Sequence, residues 1–400
     1  MALWRDAPAR MRVKAACIPA HAPLRVVQVS FHADERERDA ETLLESWPTL
    51  LGTATAVARA GAEVTVVQAA SRHQTVQRDG VTFRFVHDPA ITDGRSSRFI
   101  LPPAPRRIIA TVSDLRPDVV HVQGMPFALA TRRLASALPS VPVLVQDHAS
   151  APPRMLRALA WRWCYRSLDG LVVASGAQSE AFRSAHVLPR HTAVFEVIEG
   201  STGFTPGDQV DARRATGLFG DPCVLWTGHL DANKDPLSAL EAFGRAAPRL
   251  PDARLFCCFT SAPLRDRVEQ LIAGDPMLRE RVVLCDRRAA NEMEQHYRAA
   301  DFFLQMSHRE GCSYSAIEAL ACGTTPLVTD IASNRRIVGA AGSLTPVGDA
   351  VAMADAMVDW ARRDRRALRR QARARFESAL SYDVIGRDLY AAYEALARRA

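Results

Sequence analysis

The feature that most restricts the fold of this chain is a repeated alternation of short β-branched runs with segments long enough to form a helix. Arg25-Val26-Val27-Gln28-Val29-Ser30 opens the series, and a helical pattern follows it and ends near Ala60-Gly61. Short apolar runs of this kind suit strands covered on both faces, and helix-length connections are what parallel neighbours need. Further strands are expected at 63–68, 81–86, 118–122, 141–146, 171–174 and 193–198. A turn-rich stretch, from Glu199-Gly200-Ser201 to Pro206-Gly207-Asp208, then breaks the rhythm, which restarts at Cys223-Val224-Leu225-Trp226. A second series is expected at 253–258, 281–284, 301–304 and 326–328. The reading is an α/β protein with two doubly wound parallel-sheet domains, over 24–200 and 201–380, facing a central cleft, and a last helix in 381–400. At 400 residues the chain exceeds the length at which single cores usually stop growing. Residues 1–23, where Arg5, Arg10, Arg12 and Lys14 lie among prolines and alanines, read as a flexible leader.

The formal charge of +7 is concentrated in Arg362, Arg363, Arg365, Arg366, Arg369, Arg370, Arg373 and Arg375. Met357, Trp360, Leu368, Ala372 and Phe376 recur at helical intervals through that stretch, so it reads as an amphipathic basic helix. A solvated face with snorkelling stems is the reading preferred over an anionic-membrane contact, and nucleic acid is not expected as a partner. No apolar run approaches the roughly 20 residues needed to cross a bilayer. The expected location is cytoplasmic, with peripheral contact at the inner face of the membrane as the alternative. Eight cysteines lack any C-x-x-C pair or zinc spacing, so reduced structural thiols are expected and no metal site.

The most informative segment runs from Ser307-His308-Arg309-Glu310-Gly311-Cys312-Ser313-Tyr314 to Glu318-Ala319-Leu320-Ala321-Cys322-Gly323. It follows an expected strand and turns into a helix near Ser313. Glu310 therefore falls in a loop and Glu318 within the helix, with the first-turn amides between them. Such amides and the helix dipole suit a pyrophosphate, and Gly311 lets the backbone approach closely. A carboxylate beside phosphate repels it, so Glu310 is expected to meet sugar hydroxyls and Glu318 a ribose diol. In Thr227-Gly228-His229-Leu230-Asp231-Ala232-Asn233-Lys234-Asp235-Pro236, which follows the first strand of the same domain, Lys234 offers a point charge for a departing diphosphate and His229 a further hydrogen bond. The bland alternative pairs Lys234 with Asp231 or Asp235 on the surface.

These residues resemble the retaining nucleotide-sugar glycosyltransferases of family 4, which have two Rossmann-like domains in the GT-B arrangement. The resemblance covers almost the whole chain. It rests on Gly228 to Lys234, with its basic pair five apart, and on Glu310 and Glu318 followed by Ala319-Leu320-Ala321-Cys322-Gly323. It implies that Glu310 contacts the donor sugar, Glu318 the ribose, and Lys234 the leaving diphosphate, and that Gly228, His229, Gly311, Cys312, Ser313 and Tyr314 belong to the donor site. In Asp118-Val119-Val120-His121-Val122-Gln123-Gly124, His121 matches the family's cleft histidine, and His148 is a candidate on the acceptor side. The last helix, opened by Ser381-Tyr382-Asp383, is implied to pack back on the first domain. Three departures stand out. His229 replaces the usual arginine, the loop Phe31 to Asp39 lacks the paired glycines, and Gln123 and Cys312 occupy positions that are often histidine and phenylalanine.

The resemblance implies transfer with retention from a nucleotide-diphosphate sugar, used as co-substrate, to an unidentified hydroxyl acceptor. No Asp-x-Asp signature is present, and Lys234, His229 and helix amides supply positive charge, so no metal is expected. The alternatives are a non-catalytic sugar-nucleotide-binding protein and other chemistry on the same fold, such as epimerisation or phosphorolysis. A dinucleotide-dependent oxidoreductase is disfavoured because no G-x-G-x-x-G follows the first strand.

Overall fold

The computed structural model describes residues 22–34, 36–92, 104–148, 150–285 and 287–399, so the leader expected over 1–23 lies almost wholly outside the described residues. The first sheet has eight strands: β1 (Arg25–Ser30), β2 (Glu63–Ala69), β3 (Gln74–Arg78), β4 (Val81–Val86), β5 (Val119–Gln123), β6 (Val143–Gln146), β7 (Gly170–Val173) and β8 (Ala193–Glu196). They lie in the order β3-β4-β2-β1-β5-β6-β7-β8 and are parallel except for β3, which runs antiparallel to β4. The second sheet has six parallel strands: β9 (Cys223–Gly228), β10 (Arg254–Phe259), β11 (Val282–Cys285), β12 (Phe302–Gln305), β13 (Thr325–Thr329) and β14 (Ser343–Thr345), in the order β11-β10-β9-β12-β13-β14.

Both sheets are doubly wound, as expected, because their central strands are buried on both faces and the parallel connections carry helices, except that β2 reaches β4 through β3. β5, β6 and β7 in the first sheet and β12 in the second are buried almost throughout. Chain direction across each sheet reverses beside its first strand, between β1 and β5 and between β9 and β12. At such a switch point the loops at the carboxyl ends diverge and leave a crevice.

Two strands were not expected. β3 is polar and mostly exposed, and it enters the sheet through a two-residue turn in which Asp79 and Gly80 both take positive φ, the geometry a tight hairpin requires. β14 is only three residues long, at the sheet edge.

The helix Tyr382–Ala397 packs on the helix Pro48–Arg59 of the first domain. A side chain at Gly386 would sit 2.3 Å from the Ala56 carbonyl oxygen, so this contact depends on glycine. The helix also carries Tyr393 under the first sheet, where its hydroxyl lies 2.7 Å from His121 Nδ1.

The basic segment is less solvated than expected. The helix Arg365–Ala379 turns Arg369, Arg373 and Arg375 onto the carbonyl ends of neighbouring helices. Arg369 donates to the Ala300, Arg298 and Cys322 carbonyls at 3.0, 3.1 and 3.3 Å, Arg373 to Ala321 at 2.8 Å, and Arg375 to Ile337 at 2.9 Å and to Arg336. Arg365 pairs with Asp301 at 3.2 Å. These cations answer the negative ends of helix dipoles and are held inside the domain. Only Arg362, Arg363, Arg366 and Arg370 remain on the exposed face of the 362–375 stretch. Among the described residues, no helix is long and apolar enough to cross a membrane.

Candidate functional site

Lys234 and Glu310 arrive at one point from the carboxyl ends of β9 and β12, the adjacent strands at the switch of the second sheet. Asp231 shapes the first loop, since its Oδ1 accepts the Asn233 and Lys234 amides, both at 2.9 Å. Asn233 then ties that loop to the second. Its carbonyl accepts the His308 amide at 2.8 Å, and its side chain donates to the Arg309 carbonyl at 3.1 Å. Asp235, with φ of 46°, caps the following helix through the Ser238 amide, and its other oxygen lies 3.1 Å from His308 Nε2. Neither aspartate holds the lysine: Lys234 Nζ donates to Glu310 Oε1 at 2.5 Å, and the Glu310 side chain is only 10% exposed.

The helix Tyr314–Cys322 starts beside this pair with no side chain capping it, because the Ser313 hydroxyl donates instead to Gln305 Oε1 at 3.0 Å. Gln305 also accepts from Asn334 at 3.1 Å. One turn into the helix, Glu318 faces Tyr297, whose hydroxyl lies 3.1 Å from Thr227 Oγ1. Burial pushes the Glu318 carboxyl up to about 7, with the Tyr297 hydrogen bond pulling partly the other way.

A cavity of about 280 Å³ opens beside these groups, lined by Gly228, His229, Lys234, Ser315 and Glu318 and by the exposed Arg287 and Arg288. The two arginines stand just beyond β11 and were not among the expected site residues, although a basic pair near a strand's carboxyl end was the available signal. His229 sits at the rim, exposed, with Nδ1 3.0 Å from Thr260 Oγ1.

Other expected donor residues lie elsewhere. Cys312 and Ser313 are buried, and like Gly311 they belong to the loop without lining the cavity. Tyr314 points away, into the space between the domains. There its hydroxyl lies over Gly200, where an added Cβ would stand 2.7 Å from it.

His121 is a correction. It is fully buried within β5, its Nδ1 bonded to Tyr393 and its Nε2 without a protein partner, and burial lowers its pKa to about 3. Position along the strand explains this: His121 and Gln123 share one face of β5, and the side chain that reaches the cleft is Gln123, at the strand's carboxyl end. Gln123 Oε1 lies 2.9 Å from His148 Nε2, and His148 Nδ1 lies 2.8 Å from Glu199 Oε2. The expected acceptor-side His148 is thus hydrogen-bonded to Gln123, one of the departures from the family pattern, and to Glu199, which was given no role in the site. The three line a second cavity of about 620 Å³ between the domains, at the switch of the first sheet.

Comparison with known proteins places this geometry. A family profile described as Glycosyltransferase Family 4 matches residues 49–196, and one described as Glycosyl transferases group 1 matches residues 221–363, so that each domain is covered. A D-inositol 3-phosphate glycosyltransferase of Mycobacterium sp. (strain JLS) is 32% identical over 192 residues, 45% of this chain and 41% of that protein. The protein of the same name from Geodermatophilus obscurus is 33% identical over 221 residues, 52% of this chain and 48% of its own. The chain thus spans less than half the length of these curated relatives. Among solved structures, a glycosyltransferase from Rickettsia africae superposes with a TM-score of 0.70 at 14% identity, covering 95% of this chain and all of the other. Anabaena HepE in complex with UDP-glucose gives 0.62 at 15% identity, over 93% and 99%. At these identities the structures speak for the GT-B fold alone.

Proposed function

The chain belongs to glycosyltransferase family 4, and from that premise we propose that it moves a sugar from a nucleotide-diphosphate sugar to an acceptor hydroxyl, with retention at the anomeric carbon. The observation that carries the reading is the Lys234–Glu310 pair beside an uncapped helix start, one turn from Glu318. A diphosphate at the helix start meets the positive end of the helix dipole and the Lys234 ammonium, with Arg287, Arg288 and His229 around the same cavity. Positive charge fixed there stabilises the leaving group as the glycosidic bond breaks. Glu310 accepts hydrogen bonds from sugar hydroxyls, and Glu318 from the ribose diol. These fixed cations supply the neutralisation that a divalent ion gives in other enzymes, so no metal is required. Retention follows if the acceptor hydroxyl attacks from the face the diphosphate leaves, and the interdomain cavity lies on the acceptor side.

HepE binds UDP and UDP-glucose, which makes uridine diphosphate sugars the first donors to try. The relatives named D-inositol 3-phosphate glycosyltransferases make polyols, free and phosphorylated, the first acceptors to compare. The test is a panel of nucleotide sugars scored by thermal shift, since a bound donor stabilises the native state by mass action. Proton NMR of the product then reads the anomeric configuration. An inverted product, or no stabilisation by any donor, overturns the reading.

A further inference from the structure

The interdomain cavity carries information about the acceptor. Its polar lining is rich in amides: Gln28 comes from within β1 and Gln68, Gln123 and Gln146 from the ends of β2, β5 and β6, with Gln28, Gln68 and Gln146 set deep in the cavity wall. Trp47, Phe127 and Tyr314 add aromatic surface. Among the described residues no lysine or arginine lines it. The guanidinium of Arg38 lies 5.7 Å from the Trp47 ring, but both Asp34 oxygens hold it, at 3.0 and 2.7 Å. The one carboxylate in the lining, Glu199, is 9% exposed and bonded to His148.

A phosphate monoester carries a charge of about −1.5 to −2 and is recognised by arginine or lysine forks. In this cavity it would meet Glu199 in a partly dry environment where, among the described residues, the basic groups are the imidazoles of His32 and His148 rather than a lysine or arginine, and where like charges repel far more strongly than in water. Sugar hydroxyls both give and take hydrogen bonds, which matches amides that do the same, and the C–H face of a ring lies well against an aromatic plane. We propose that this cavity takes a neutral polyol or sugar as acceptor, with no phosphate on the part that enters. The proposal rests on the transferase reading above.

The test uses the full chain with the donor it consumes and matched acceptor pairs: myo-inositol against inositol 1-phosphate, and glucose against glucose 6-phosphate. The neutral member of a pair is expected to have a kcat/KM at least about tenfold higher, since a desolvated like-charge contact costs several kcal/mol. Glu199→Gln should narrow that preference, and Trp47→Ala should raise acceptor KM more than it lowers kcat. Equal or better use of the phosphorylated members overturns the proposal. So does donor turnover with no neutral member accepted, which leaves the donor reading standing. If no nucleotide sugar is consumed, the transferase reading itself fails and takes this one with it.

A separate surface carries its own inference. On the helix Met155–Cys164, Met155, Leu156, Leu159 and Trp163 are 86, 80, 62 and 50% exposed. Arg157 and Arg162 are exposed on the same helix and Arg166 just beyond it, while Arg132 stacks 3.8 Å from the Trp163 ring. Exposed leucines beside tryptophan, with guanidinium groups on the same helix and next to it, match the boundary between anionic headgroups and acyl chains. We infer that this helix, rather than the 362–375 segment, docks on an anionic membrane surface. Sedimentation with phosphatidylcholine vesicles, with and without phosphatidylglycerol, should show binding only to the anionic ones, weakening with salt. The double variant Leu156→Ser, Leu159→Ser should bind at least about tenfold less while keeping the wild-type thermal transition. Absence of binding, equal binding by the variant, or self-association of the wild type that the variant loses would each overturn it, the last by assigning the face to a second copy.

Discussion

Lys234 Nζ lies 2.5 Å from Glu310 Oε1, although the two residues are 76 positions apart and belong to different loops. Each is the other's nearest charge, so removing either leaves an unpaired ion in a half-dry crevice. Lys234→Ala and Glu310→Gln are each expected to lower turnover about 100-fold, the size typical of one lost charge-stabilising contact. Because the two act as a unit, the double variant should fall only a few-fold below the worse single one. Nucleotide diphosphate release measures all three. A double variant whose loss is the product of the single losses would show that they act independently.

Glu318 makes donor binding depend on pH. Its carboxyl is pushed up to about 7 by burial, and a diol that donates to the carboxylate favours the ionised form. Donor affinity should therefore rise as pH increases through 7 and be about tenfold weaker at about pH 6 than at about pH 8, by titration calorimetry. The effect on stability has the opposite sense. The native state holds this proton up to about 7, while the unfolded chain releases it near 4.5, so stability falls as pH rises across that interval. Glu318→Gln should stabilise the free protein at neutral pH by on the order of 3 kcal/mol while weakening donor binding. A variant that loses both would mark Glu318 as purely structural.

Much of this was legible in the sequence, for definable reasons. Strands buried on both faces announce themselves as apolar runs, and that is why β1, β5, β9 and β12 were found within a residue or two. β3 was missed because Gln74–Arg78 is a polar edge strand, and its one signal was the Asp79-Gly80 turn. Lys234 and Glu310 were visible singly, each in a loop after a strand, but their pairing depends on which strands are neighbours. The relay of Gln123, His148 and Glu199 joins three segments and has no local signature. The family pattern puts His121 in the cleft, but His121 lies in the middle of β5 and it is Gln123, on the same face at the strand's end, that reaches the cavity. The arginine-rich helix reads as a solvated face because charge composition does not reveal that three guanidinium groups cap neighbouring helices.

Arg369 tests that last point. Its guanidinium joins the ends of the helices Ala290–Ala299 and Tyr314–Cys322, bringing the frame of the candidate donor site together. Arg369→Ala is expected to cost about 3 kcal/mol in urea unfolding, because it leaves buried carbonyls without donors. Lysine should rescue little, since one ammonium does not span the fork. Arg370→Ala, at the exposed neighbouring position, should change stability by no more than about 0.5 kcal/mol. Equal effects at the two positions would return the whole helix to a solvated role.

His121 yields the sharpest separation of structure from catalysis. Its ring joins β5 to the helix Tyr382–Ala397 through Tyr393, and burial lowers its pKa from 6.5 to about 3. Over that range the unfolded chain binds a proton that the native state refuses, so stability is complete above about 6.5 and is lost as pH falls toward 3. This slope opposes that of Glu318 where the two ranges overlap, so each is read from its own variant. His121→Gln is expected to lower the Tm at neutral pH by several degrees, as a buried hydrogen bond and its packing are disturbed, and to flatten the acid side of the stability profile. Turnover at a temperature where the variant is folded should stay near the wild-type value. A variant that keeps its Tm but loses turnover would put His121 back at the reacting centre, and Gln123→Ala, at the strand's cleft end, would then be the variant that leaves turnover intact.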